Sequence, residues 1–476
     1  MQNLKPEVVW NFFEEISNIP RCSGNEEETR DYLLTVGREA GLQTRADGAG
    51  NVLLSKAFEG EEPTGVLQSH MDMVCEKNSD VSHDFTSDPI RLKVEDGWVT
   101  AEGTTLGADN GIGMALALAV ATGDYGLPPL DFLFTVDEER GLNGVRELDP
   151  GFVRGKRLIN LDSEEFGSFT VGCAGGGTTA LLVPPGRAPR GFNQAGKVSL
   201  SGLSGGHSGE DIDRGRANAV KLLGRTLEKI RDRIGLNIIE ISGGDKHNAI
   251  PREASAYIAV DAPGEEYGEI VDECEEVFRD EYSSTEEGLQ VEFMELSWGE
   301  VHEVMTEDPT STIVDLIRSL PFGVIRREQR FPSLVETSTN LASIKETPEG
   351  IELLTSTRSS MSSQLEDVRD RIEIIGRRFG AEVTHGEPYP SWRPDYDSEL
   401  LARAKEVFEQ SQGREAEVKA IHGGLETGVI GEKVDGLDMI AMGPDIESPH
   451  SPDERVNIET VEKFWDFLLD FLESLS

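Results

Sequence analysis

The run LDFLFTVDEE, residues 130–139, decides the fold. A short, mostly apolar stretch of strand length leads straight into three consecutive acids, Asp137, Glu138 and Glu139. Adjacent carboxylates at the mouth of a buried strand repel one another and lose solvation, which costs free energy unless a cation compensates them. A strand that ends this way presents its acids to something positive.

Working outward, NVLLSKA (51–57) and TGVLQSHMDMV (64–74) also read as strands, after a helix from about Pro6 and a second in NEEETRDYLLTVGREAG (25–41). The segment GADNG (107–111) opens a helix, IGMALALAVATG (112–123), and KRLINLD (156–162) is a strand ending on Asp162. Strands alternating with helices indicate an α/β domain with a central mixed sheet flanked by helices, where functional groups gather beyond the carboxyl ends of strands. The composition changes at LLVPPGRAPRGFNQAG (181–196), which reads as a linker or edge loop. Strands such as KVSLSGL, ASAYIAVDA, LQVEFMEL and GIELLTSTR then interleave with acidic helices, as in an inserted α+β domain. HGEPYPSWRPDYDSE (385–399) punctuates the return to an α/β pattern, which ends in the helix TVEKFWDFLLDFLESL. The expected organisation is a catalytic domain from 1–182 and 389–476, interrupted by an inserted domain over 183–388.

At 476 residues the chain has material for two cores. Its 45 Lys plus Arg against 89 Asp plus Glu give a formal net charge of -44, which repels phosphate backbones and anionic membranes, so neither nucleic acid nor a membrane is an expected partner. The acids are spread along the chain, as in a solvating coat of the kind used in salt-rich cytoplasm, and stability would then need salt to screen self-repulsion. Cys22, Cys75, Cys173 and Cys274 are far apart in sequence, suggesting neither a disulfide framework nor a zinc finger, and a reducing compartment. The N-terminus MQNLKPEVVWNFFEEIS has no basic start followed by an apolar core, and the apolar runs are too short to span a bilayer. A soluble, cytoplasmic protein is expected.

The candidate ligands sit at strand ends and tight loops of the first layer. In an extended segment His70 and Asp72 point to one face, so that one can bind a metal while the other orients it. Asp109 lies in a glycine-flanked loop, Glu138 and Glu139 end the run quoted first, Asp162 ends KRLINLD, and His450 is held between prolines in SPHSPDERVNI. Singly, such residues are more often structural histidines and helix caps. Jointly, two histidines and several carboxylates suit two divalent ions, with zinc favoured and manganese or cobalt also fitting. Asp109 is the expected bridge, with His70 and Glu139 on one ion and Asp162 and His450 on the other, the pairing left open. Glu138 is then a spare carboxylate able to take a proton from an attacking water, and the chemistry is hydrolysis of an amide or peptide bond. In the inserted domain His207, in SGGHSGEDI, is a candidate oxyanion donor, and Arg358, in TSTRSSM, a candidate clamp for a substrate carboxylate. Asn248 and Asn340 are candidate substrate contacts.

The motifs SHMDMVCEKN, GADNGIG, DEERGLNG, LDSEE, GGHSGEDI, NAIPRE, VETSTNLA, TRSSMSS, HGGLETG and GPDIESPHSPDERVNI follow one another along essentially the whole chain. In these the sequence resembles the aminoacyl-histidine dipeptidases, also called cytosol non-specific dipeptidases, of the zinc-dependent aminoacylase and carnosinase superfamily. The resemblance implies a catalytic α/β domain split by a lid, two zinc ions and cleavage of unblocked dipeptides, including those ending in histidine. It places His70, Asp109, Glu139, Asp162 and His450 on metal ligands, Asp72 and Glu138 on the catalytic pair, and His207 and Arg358 on lid residues that bind the oxyanion and the substrate carboxylate. It also implies a cis peptide between Asp109 and Asn110, and a position near the substrate amine for His422 and Glu426. Thr427 departs from it, since relatives often carry cysteine there. An N-acyl amino acid deacylase on the same metals is the alternative enzyme. A homodimer is compatible with a lid of this size, which can supply His207 to its own site or to a partner subunit's.

Overall fold

A strand whose residues are apolar on both faces must be covered on both faces, and this places the runs 65–70 and 130–135 in the middle of a sheet. In the computed structural model, which describes residues 1, 3–57, 60–184, 186–189, 194–260, 263–296, 303–330 and 332–476, all residues of both strands are buried. Gly65–His70 pairs in parallel with Leu130–Thr135 on one side and Arg157–Asn160 on the other, and Asp438–Ala441 runs parallel to Arg157–Asn160. The order across this eight-stranded sheet is Gln43–Ala46, Val52–Ser55, Leu130–Thr135, Gly65–His70, Arg157–Asn160, Asp438–Ala441, Ser168–Cys173, Glu417–Ile421. The helix Ala108–Thr122 is apolar all round and almost wholly buried, packed against Gly65–His70 and the N-terminal helix Glu7–Ser17. A smaller sheet, Ile446–Glu447, Arg455–Asn457, Trp98–Ala101 and Leu92–Glu95, carries the loop that holds His450.

The chain divides into two compact units. The first comprises Met1–Cys173, Trp392–Ala420 and Leu425–Ser476, and the second Ala174–Ser391 with Ile421–Gly424. The second unit is α+β. Its antiparallel sheet runs Gln290–Leu296, Gln194–Ser201, Ala254–Val260, Asn237–Gly243, Val335–Thr347, Gly350–Ser359, Gly175–Val183, Glu382–His385, with Gly323–Arg327 also paired to Val335–Thr347. The helices Ala219–Ile234 and Glu307–Ser319 bury Leu223, Leu227, Ile313 and Ile317 in one core with strand residues Ile258 and Leu341.

The Pro- and Gly-rich stretch 181–196 is partly regular. Leu181–Val183 finish a long strand and Arg187–Pro189 pair with Glu303–Met305, with Pro189 ending a two-stranded edge where a missing N–H is tolerated; residues 185 and 190–193 fall outside the described residues. The expectation of four unpaired thiols fails for Cys22 and Cys75, which form a disulfide across Cα atoms 5.7 Å apart. Their separation in sequence hid the reason: residues around Arg21 run beside the segment that follows His70, with Met73 N donating to Arg21 O at 3.1 Å and a parallel bridge between Cys22 and Met73. Cys173 and Cys274 are free and buried. No helix among the described residues is long and apolar enough to cross a membrane.

Candidate functional site

Parallel neighbours bring their carboxyl ends to the same edge of a sheet, and here each end carries a polar side chain just beyond it. Gln68 is opposite Asn160, so His70 and Asp162, each two residues further on, meet: His70 Nε2 is 3.6 Å from Asp162 Oδ1. On the other flank His70 is opposite Thr135, and the turn after Thr135 supplies the acids of the run 130–139. Asp72, fully buried, accepts the backbone N–H groups of Glu138 and Glu139 at 3.0 and 3.2 Å and lies 3.3 Å from His70 Nδ1. It thus anchors the acidic turn and faces the imidazole from behind. Burial opposes its charge, but the hydrogen bond and charge of His70 hold its carboxyl down at about 2.

Asp109 stands at the centre. Its Oδ1 is 3.0 Å from His70 Nε2 and its Oδ2 is 3.0 Å from His450 Nε2. The peptide between Asp109 and Asn110 is cis, and Asn110 Nδ2 donates to Leu161 O and Asp162 Oδ1, tying this loop to the next strand end. His450, on a loop with φ of 60°, also approaches Glu139 Oε1 at 3.0 Å. The contact to Asp109 has hydrogen-bond geometry; the one to Glu139 does not, which leaves Glu139 Oε1 a buried carboxylate oxygen without a hydrogen bond. Ligand atoms of His70, Asp109 and Glu139 all lie within 4.8 Å of one another.

The electrostatics follow from crowding acids where water is scarce. Burial pushes the Glu138 carboxyl well above its usual range against the pull of His70, with Glu139, Asp162 and Glu426 adding to the rise. Burial likewise raises Glu139, and brings Asp162 to about 6. Asp109 goes the other way: burial opposes its charge, but hydrogen bonds from His450 and His70 hold it far below the carboxylate range. Its hydrogen bond to Asp109 and the adjacent Glu139 carboxylate hold His450 protonated up to about 11. Convergent carboxylates and imidazoles with an orphaned buried oxygen form a donor set that fits divalent cations. His70 lies 3.6 Å from Asp162 because strand order, invisible in the sequence, makes 65–70 and 157–160 neighbours, and Glu139 lies 3.0 Å from His450 while also clustering with His70 and Asp109.

Glu426 is fully buried beneath this edge, bonded to Gln68 Nε2 and to Thr135 Oγ1 at 2.7 Å, with burial raising its carboxyl to about 8. Gln68 in turn accepts from Asn160 Nδ2 at 2.7 Å. Thr427, beside it, is also fully buried.

In the second unit, His207 pairs with Ala249 across a two-residue ladder and its N–H donates to Asp211 Oδ2 at 2.8 Å. Glu210 N donates to His207 Nδ1 at 3.3 Å, which leaves the ring proton on Nε2. That nitrogen is 3.3 Å from Arg358 Nη2, and two donors side by side suit a shared anionic acceptor. Arg358 is 7% exposed and donates from Nη1 to Tyr389 Oη at 2.9 Å. His422 meets Ser338 Oγ at 2.7 Å, and burial with the charges of Arg358 and His207 pushes it down to about 3. Asn340 is committed internally, donating to Ala249 O and accepting from Asn218 Nδ2. Asn248 is exposed, with its carbonyl taken by Ser208 N. The sequence did not single out Arg21, Gln68, Tyr389 or Glu454, and gave Asn110 only as the second residue of the cis peptide. A lone arginine in IPRCSG, and a glutamate in the quoted motif SPDERVNI, were the available signals.

Residues 66–474 match the family model described as peptidase family M20/M25/M40. The chain is 36% identical over 483 residues to the cytosol non-specific dipeptidase of Escherichia coli (strain K12), covering 100% of this chain and 99% of that one. It superposes on the crystal structure of aminoacylhistidine dipeptidase from Vibrio alginolyticus with a TM-score of 0.88 and 38% identity, covering 99% and 97% of the two chains. Aminopeptidase PepT from Bacillus cereus ATCC 10987, at 16% identity and a TM-score of 0.57 with 99% of each chain covered, shares the fold.

Proposed function

The chain belongs to peptidase family M20/M25/M40 and is a hydrolase, and from that premise we propose that it is a two-zinc dipeptidase acting on unblocked dipeptides, Xaa-His among a broad range. The observation that carries the reading is the convergence of His70 and His450 on the two oxygens of one carboxylate, Asp109, each at 3.0 Å. A bridging carboxylate would offer one oxygen to each of two cations, and each Asp109 oxygen stands beside an imidazole able to serve as a further ligand. Full-length similarity to the E. coli dipeptidase supports the substrate class and a cytoplasmic location.

In this reading His70, Asp109, Glu139, Asp162 and His450 would hold the two ions, with Asp109 shared between them. Bound dications supply Lewis acidity and lower the pKa of water. Glu138, its carboxyl raised by burial, takes a proton from the attacking water and returns it to the leaving amine. Asp72 holds the His70 ring in one orientation. The second unit serves as the lid, its His207 donating from Nε2 to the oxyanion and its Arg358 binding the substrate carboxylate through its planar fork. Zinc is favoured by the mixed nitrogen and oxygen donors, with manganese or cobalt as substitutes.

The test compares free dipeptides with N-acetylated amino acids, using wild type and Glu138→Gln with zinc, manganese or cobalt. Free dipeptides should be cleaved, and the variant should keep its metal content while losing roughly 10²–10⁴-fold in kcat. Preferential cleavage of N-acyl substrates would identify a deacylase instead, and wild-type turnover in Glu138→Gln would remove the general-base role.

A further inference from the structure

Beside the candidate ligands two buried charges hold one loop, one by a carbonyl and the other by its N–H groups. Arg21 and Glu454 are each 2% exposed. The Arg21 guanidinium donates from Nη1 to Met71 O at 3.1 Å and Asp72 O at 2.9 Å, and from Nη2 to Gly107 O. Glu454 takes the N–H groups of the same loop: Oε2 accepts from Leu106 N at 2.7 Å and Gly107 N at 2.8 Å, and Oε1 from Asp109 N at 3.2 Å. Gly107 therefore has its carbonyl held by the cation and its N–H by the anion. Its φ is 70°, and a Cβ there would stand 2.5 Å from Arg21 Nη2 and 2.7 Å from Met73 Sδ, so the approach needs glycine.

The connections have a direction. Arg21 joins the segment just beyond His70 to the loop of Asp109, and Glu454, four residues after His450 and closed onto Ser451 O by its own N–H, joins the loop of Asp109 to the segment of His450. The three segments whose imidazoles and carboxylate meet are thus chained through two charge-assisted anchors. We propose that Arg21 and Glu454 are positioning residues that set the Asp109 carboxylate between His70 and His450, and so tune the affinity for both ions. This rests on the two-metal reading above.

Glu454→Gln keeps the size of the side chain but offers one acceptor oxygen. If that oxygen serves Leu106 and Gly107, the amide nitrogen faces the N–H of Asp109, a donor against a donor. Arg21→Lys keeps the charge but replaces a fork by a single point, which cannot serve Asp72 O and Gly107 O in the same geometry. Zinc affinity of the full-length protein, measured by competition with a chromogenic chelator, should fall roughly 10–100-fold in each variant, as for other groups that orient metal ligands. Thermal melting of the metal-free proteins runs in parallel. Lower affinity in variants whose metal-free folds melt as wild type supports the proposal. Wild-type affinity in both variants, or an effect confined to melting, overturns it and leaves the metal reading standing. Absence of tight zinc sites in the wild type would overturn both.

Discussion

Two histidines show how surroundings decide what one residue type does. His450 faces Asp109 and Glu139 and is held protonated up to about 11, whereas His422 is buried near Arg358 and His207 and pushed down to about 3. The folded value of His422 lies below the unfolded one of about 6.5, so the unfolded chain binds the extra proton between these limits. Its contribution to stability is therefore complete above pH ~6.5 and declines on acidification, with a slope of at most about 1.4 kcal/mol per pH unit for one proton. Urea unfolding of His422→Gln should show a flatter acid limb between pH ~6.5 and ~4 than wild type; an unchanged slope would exclude His422 as a source of acid sensitivity. At this scale the sequence disclosed residue types well. His70, Asp109, Glu139, Asp162 and His450 could be grouped because strand ends and tight loops are where side chains converge, and their side chains do lie together. Arg21 was not, because a buried cation bonded to backbone carbonyls leaves no pattern in the sequence.

Among elements, the strands 65–70, 130–135 and 157–160 were legible from their apolar runs, and the helix from the apolar run 112–123, which the structure begins at Ala108. Their order was not, and order is what brings His70 within 3.6 Å of Asp162. The same blindness to spatial neighbours concealed the Cys22–Cys75 disulfide, which spans 53 residues and joins the approach to helix Glu27–Glu39 with the segment beyond His70. Closing a loop of that length restricts the unfolded chain, and such a bond typically stabilises by about 2–4 kcal/mol. Denaturant unfolding of a Cys22→Ser, Cys75→Ser double variant, or of wild type with a thiol reductant, should move the midpoint down accordingly. Coincident curves would mean the crosslink adds nothing to stability.

For the whole molecule, the acidic balance of 45 basic against 89 acidic residues argued against nucleic acid, and the α/β and α+β characters of the two units were both visible in strand and helix spacing. The acids of the run 130–139 are explained if cations are part of the native state, and the arrangement around Asp109 is where that explanation stands or falls. The direct measurement is anomalous diffraction at the zinc edge from crystals of the full-length protein grown with zinc. Two peaks about 3.5–4 Å apart, one on each side of the Asp109 carboxylate, are predicted, held among His70, Glu139, Asp162 and His450. No peak at Asp109, or zinc held elsewhere while these side chains pair among themselves, would contradict the account.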